Sequence, residues 1–228
     1  MEVLTIEQLS YSYDGKTNIL KNLKLQFETG KIYGIVGKSG AGKSTLLSLL
    51  AGLERYHEGS IRYQGQELAT LNYDHYRAKD IGIIFQGYNL LPQLTALENV
   101  LLAINISNHR AIDKKEKAFQ LLKKVGIENT TAYRRVLQLS GGEQQRVSIA
   151  RALSSDANII FADEPTGNLD KETEEDILNL LLSLAHKENK CVIIISHSQK
   201  VKELADIIYK LKDGKIKKGL LNYNLQKG

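Results

Sequence analysis

Several ingredients are scarce in this 228-residue chain. It carries a single cysteine, Cys191, so no intrachain disulfide can form, and that usage suits a reducing compartment. It has no tryptophan, and only two prolines, Pro92 and Pro165, stand against 18 glycines. With so little proline beside it, the glycine marks particular backbone sites rather than flexible linkers. No run of about 18 apolar residues occurs, so no bilayer-spanning helix is expected. The opening MEVLTIEQLSYSY lacks the charged-then-apolar order of a secretion signal, and the expected location is the cytosol. Charge of one sign is in short supply as well: 31 Lys+Arg against 26 Asp+Glu leave a net +5. The excess is densest at Lys210, Lys212, Lys215, Lys217 and Lys218, and such a run reads as a solvated edge.

What remains is a globular balance, 42% hydrophobic and 25% charged, which excludes disorder and collagen-like structure. A chain this long makes one domain, or one with an inserted lobe, and buries its core without staples. Leu23, Leu25 and Phe27 alternate with polar residues, as do Ile61 and Tyr63, the period of a half-buried strand. KIYGIV (31–36) and DIGIIF (80–85) read as buried strands, with a helix over 43–53 that stops at Gly52.

Three helical patterns follow without a strand between them. The first opens on Thr95 and Glu98, the second on Asp113 and Glu116 and ends at Gly126, and the third spans 140–153. They predict a helical lobe at 87–156 inserted into an α/β core formed by 1–86 and 157–228. Strand 158–163, helix 170–187, strand 191–196 and a short helix from Ser198 restore the alternation. Asp213-Gly214 predicts a hairpin turn in IIYKLKDGKI. The expected class is α/β, a mostly parallel sheet flanked by helices.

Gly37, Lys38, Ser39, Gly40, Ala41, Gly42, Lys43 and Ser44 form the pattern G-x-x-x-x-G-K-[ST] between a strand and an apolar helix. Polyphosphate oxygens need backbone N–H groups at close range, which glycines allow, and the helix aims its positive end at the anion. Lys43 supplies an ammonium for the β- and γ-phosphates and Ser44 a hydroxyl for Mg²⁺, with the grip closing at Thr45. IIFADE ends a buried strand in two acids that point to opposite faces. If that strand lies beside the phosphate-loop strand, Asp163 reaches the metal shell and Glu164 orients the attacking water. Ser140, Gly141, Gly142 and Glu143 open a helix in a second anion cradle. The same residues also read as a plain serine cap with a capping box. Two copies about a two-fold axis would each bring this cradle to the other's γ-phosphate.

GKSGAGKS, LSGGEQQR, IIFADEP, Asn168-Leu169-Asp170 and Ser196-His197 occur in the order found in an ABC-transporter ATPase subunit, and the chain resembles that family over essentially its whole length. The resemblance implies a P-loop NTPase core with an N-terminal antiparallel β-subdomain and an inserted helical subdomain. It implies that Ser140, Gly141 and Gly142 close on the partner copy's ATP. Glu164 would be the catalytic carboxylate, Asp163 a magnesium ligand, and Gln86 a sensor of Mg²⁺ and the γ-phosphate. His197 would contact the γ-phosphate, and Asp170 would act across the dimer. Tyr13 falls where the family stacks an aromatic on adenine, with Tyr11 as the alternative. Stacking alone implies weak discrimination between ATP and GTP.

DEPTGNLD and LLPQLTALENV look most like the branch serving lipoprotein release, macrolide export, antimicrobial-peptide resistance and cell division. No C-terminal regulatory domain is expected after the hairpin. Without a span of its own, such a subunit works on a separate permease at the cytoplasmic face of the membrane. The docking candidate is Gly87-Tyr88-Asn89-Leu90-Leu91. Two other classes compete: a nucleic-acid-handling ABC ATPase, disfavoured for want of added coiled-coil, zinc or DNA-binding segments, and a nucleotide-dependent scaffold without turnover.

Overall fold

The computed structural model describes residues 1–107 and 113–219. Its strands form two sheets. The smaller is antiparallel, ordered β2 (Leu20–Glu28), β1 (Glu2–Tyr11), β4 (Glu58–Tyr63) and β5 (Gln66–Glu67). Leu23, Leu25 and Phe27 point inward from β2 and are buried, as their alternation predicts.

The larger sheet runs β10 (Lys215–Lys218), β9 (Ile207–Lys212), β3 (Lys31–Val36), β8 (Cys191–Ile195), β7 (Ile159–Asp163) and β6 (Ile81–Ile84). All its pairings are parallel except the β9–β10 hairpin, whose turn residues Asp213 and Gly214 have φ of 51° and 75°. Between their ends its central strands carry no charged residue, because both faces are covered. Tyr33, Phe161 and Ile193 face a core shared with the smaller sheet and α1 (Lys43–Leu50). Ile32, Ile160 and Val192 face a second core with α7 (Lys171–His186) and α8 (Gln199–Leu204).

The sequence left open whether the acid-bearing strand lies beside the phosphate-loop strand; it does not, since β8 lies between β7 and β3. Ile195 pairs with Ile35 on one side and Asp163 on the other, so both functional strand ends still finish on one edge.

Between β4 and β6 lie α2 (Tyr73–His75) and an adjoining turn of wider helix over Tyr76–Asp80. Between β6 and β7 come α3 (Ala96–Ile106), α4 (Lys114–Lys124), α5 (Asn129–Ala132) and α6 (Gly141–Ala152). Thr95–Glu98 and Ser140–Glu143 make complete capping boxes at α3 and α6. The Asp113–Glu116 device is only half made. Asp113 accepts from the Lys115 and Glu116 amides, while Glu116 turns away to accept from Gln120.

Candidate nucleotide site

The phosphate loop is shaped by what a side chain would strike. A Cβ on Gly37 would run into the Leu211 carbonyl, and Gly40 and Gly42 have φ of 75° and 96°. Gly42 is also the cap of α1 and offers no side chain, so the first amides of α1 lack a capping acceptor. Lys43 folds back over the loop, its Nζ donating to the Gly37 and Lys38 carbonyls at 3.0 and 3.1 Å. A ring of backbone donors and one ammonium thus surrounds an anion-sized hollow.

That hollow is a cavity of about 760 Å³. Residues 37–40 and 42–45 line it, together with Ile19, Gln86, Asp163, Glu164 and His197. Ala41 faces an adjoining cavity instead. The Ser44 hydroxyl lies 3.5 Å from Asp163 Oδ2. Burial and the neighbouring Glu164 carboxylate push the Asp163 carboxyl above its ordinary value, while Ser44 and Lys43 pull it down.

Glu164 sits one residue past β7 with φ of 44°, a left-handed conformation that swings its carboxylate off the strand. Its Oε2 accepts from the Ser196 hydroxyl at 2.8 Å, and its Oε1 lies 2.8 Å from His197 Nδ1. Glu164 is 13% exposed and held by both contacts, while the His197 ring is 77% exposed.

Hydroxyl, carboxylate and the Gln86 amide are the hard oxygen donors that Mg²⁺ takes when it arrives with a triphosphate and keeps several waters. Among the described residues no group of three or more His, Cys, Asp or Glu is placed to hold a metal by itself. The donor set fits a substrate-borne Mg²⁺.

The other expected residues lie elsewhere. Ser140 caps α6, its Oγ accepting from the Glu143 amide at 3.2 Å, and a Cβ on Gly141 would come 3.1 Å from the Tyr88 hydroxyl. Asp170 is taken up as the cap of α7, accepting from the Glu172 and Thr173 amides and the Thr173 hydroxyl. None of these lines the cavity of its own chain. Tyr13 is 61% exposed at the rim, its hydroxyl 3.4 Å from Thr45 Oγ1, whereas Tyr11 is buried beneath it edge-to-face. Ile19 on the cavity wall and Ser196 behind Glu164 were not among the expected contacts. Ile19 follows a polar turn and carries no chemistry, so only the fold reveals it.

The family described as ABC transporter matches residues 20–167. The chain belongs to the ABC-transporter ATP-binding family. It is 44% identical to YclH, an uncharacterized ABC transporter ATP-binding protein of Bacillus subtilis (strain 168), over 94% of this chain and 95% of that one. It is 39% identical to the lipoprotein-releasing system ATP-binding protein LolD of Cytophaga hutchinsonii, over 94% and 99%. It is 41% identical to the macrolide export ATP-binding/permease protein MacB of Pasteurella multocida, over 89% of this chain and 31% of that longer one. The dimeric post-hydrolysis structure of the ATP-binding cassette MJ0796, bound to ADP and Pi, superposes with a TM-score of 0.86 at 34% identity, covering 96% of this chain and 98% of that one. This ABC protein is therefore an ATP-hydrolysing transporter subunit with a P-loop NTPase fold.

Proposed function

We propose that this ABC subunit hydrolyses Mg-ATP between two copies of itself and delivers the resulting motion to a separate permease. Its branch is the lipoprotein-release and macrolide-export one that LolD and MacB represent, and its place is the cytoplasmic face of the membrane, held there by that permease. One observation carries the reading: Glu164, clamped by Ser196 beside His197, stands in the same cavity as Lys43, Ser44 and Asp163.

In this reading residues 37–45 and Lys43 hold the phosphates, and Tyr13 stacks on the base. Ser44, Asp163 and Gln86 would hold the Mg²⁺, which would neutralise charge on the phosphates. Glu164 accepts a hydrogen bond from the attacking water and aligns it with the γ-phosphorus. His197 turns from Glu164 to the γ-phosphate. ADP and phosphate are the products.

Ser140, Gly141, Gly142 and Glu143 reach the partner copy's γ-phosphate, and Asp170 lies at the same contact. Their exclusion from their own chain's cavity supports a site completed in trans. Segment 87–156 then acts as a lobe that moves against 1–86 and 157–228 through Gln86. Arg151 donates to the Tyr88 and Asn89 carbonyls and holds both residues at φ of 58° and 52°. That strained turn begins two residues after Gln86 and leads to the exposed Leu91, which supports 87–91 as the permease-facing segment.

The Glu164→Gln protein tests the assignment. It keeps ATP affinity, loses at least about a hundredfold in turnover, and runs as a dimer on gel filtration in ATP. Normal turnover in that variant would remove Glu164 from the chemistry.

A further inference from the structure

The lysine run of the last hairpin is exposed, as a solvated edge requires, but four of its side chains gather with Lys21 around one hollow. In the β9–β10 pairing Lys212 stands directly opposite Lys215, and Lys210 opposite Lys217. These four lysines, Lys21 from β2 and Asp213 at the turn line a concave cavity of about 510 Å³. Like charges directly opposite across a ladder are destabilising. Among the described residues none of the five ammonium groups has a carboxylate or hydrogen-bond partner. Two opposed like-charge pairs around a hollow are a cost that an anion in the hollow would remove.

From this geometry we propose that the cavity is a second anion site, distinct from the nucleotide cavity, that binds a linear oligophosphate. Ammonium groups on flexible stems bind phosphate as point charges and need no planar fork. The volume is that of a small-ligand pocket. The neighbouring cavity shares Lys210 and Lys212 with this one and residues 37–41 with the phosphate loop, so the two anion sites stand back to back. The hairpin is seated without slack, since a Cβ on Gly214 would lie 2.5 Å from the Ile19 carbonyl, while the Lys21 amide donates to the Gly214 carbonyl at 2.8 Å.

The site stands on these lysines and not on the hydrolytic reading above. Isothermal titration of inorganic tripolyphosphate, without magnesium, into the Lys43→Ala protein tests it. That change weakens the first site, so the remaining signal reports the second. Binding is expected to persist in Lys43→Ala and to weaken at least about tenfold when Lys212→Gln and Lys217→Gln are added. The added changes should raise the melting temperature in phosphate-free buffer, which also shows that the variant folds. ATP should bind the Lys43→Ala protein through the same lysines, since its triphosphate presents the same oxygens. Equal tripolyphosphate binding with and without the two lysines would overturn the proposal. So would lysine-dependent pelleting with phosphatidylglycerol vesicles in a protein that takes no tripolyphosphate, or lysine-dependent binding of ATP but not of tripolyphosphate. Full ATPase activity in Lys43→Ala would refute the hydrolytic reading and leave this comparison intact.

Discussion

Asp163 and Glu164 are adjacent acids with opposite environments. Glu164 leaves the strand through a positive φ and is pinned by Ser196, while Asp163 stays at the strand end where burial and its neighbour raise its pKa. A carboxyl whose folded pKa is raised opposes folding once ionised, and that opposition vanishes as pH falls through the raised value. At neutral pH, Asp163→Asn should therefore melt higher than the parent in differential scanning calorimetry. The same variant should lose at least about a hundredfold in Mg-dependent turnover, the usual scale for removing one charge-stabilising group. Stability given up at a reactive centre has this signature. The types and order of these residues were legible in the sequence because the chemistry demands hard oxygen donors and an ammonium near phosphate. Ser196 as the clamp on Glu164 was not, because the contact joins the ends of two strands far apart in sequence.

At the scale of elements, β6 and α6 touch through a glycine. A Cβ on Gly82 would strike the Ala152 carbonyl and come 2.8 Å from Ile160 Cδ1. Gly82→Ala should cost about 1–3 kcal/mol in urea unfolding, the usual penalty of overpacking. Because α6 starts at the Ser140 cap, the shift would displace that helix and lower ATPase activity as well. Helix starts were readable from Thr95, Ser140 and Asp170 because a cap needs a short oxygen-bearing side chain at one fixed place. The incomplete box at Asp113 shows the limit of such reading. A glutamate three residues on can close the box, but here Gln120, one turn further along α4, takes its carboxylate. The αL turn at Tyr88 and Asn89 was also hidden, since it depends on Arg151 arriving from α6.

Across the whole molecule, several carboxylates hold the fold by accepting amide hydrogen bonds, and each is held below its ordinary pKa. A backbone hydrogen bond from Thr17 pushes Asp14 down to about 2, and backbone hydrogen bonds from Thr95 and Thr173 lower Glu98 and Asp170. A lowered folded pKa gives stability that is present above the unfolded value near 4 and is lost as pH falls through the folded one. The melting temperature should therefore fall between about pH 4 and pH 2, by an amount that solvent screening of these exposed groups keeps modest. Asp170→Asn, which keeps a capping oxygen without the charge, should shrink that fall. Asp80, raised by burial, works in the opposite sense and softens the slope.

The sequence by itself carried the nucleotide-binding motifs and the longer secondary elements of this ABC subunit, while short pieces such as β5, α2 and α5 were not legible in it. Phosphate binding, capping and the apolar strand period are local demands that only a few residue types at fixed spacing can meet. The tertiary structure alone decided that β8 separates β7 from β3, that Ile19 walls the cavity, and that Lys21 joins four lysines of the last hairpin around one hollow. Strand order and cavity walls are set by which distant apolar faces bury each other, and that competition leaves no mark on any single stretch of chain.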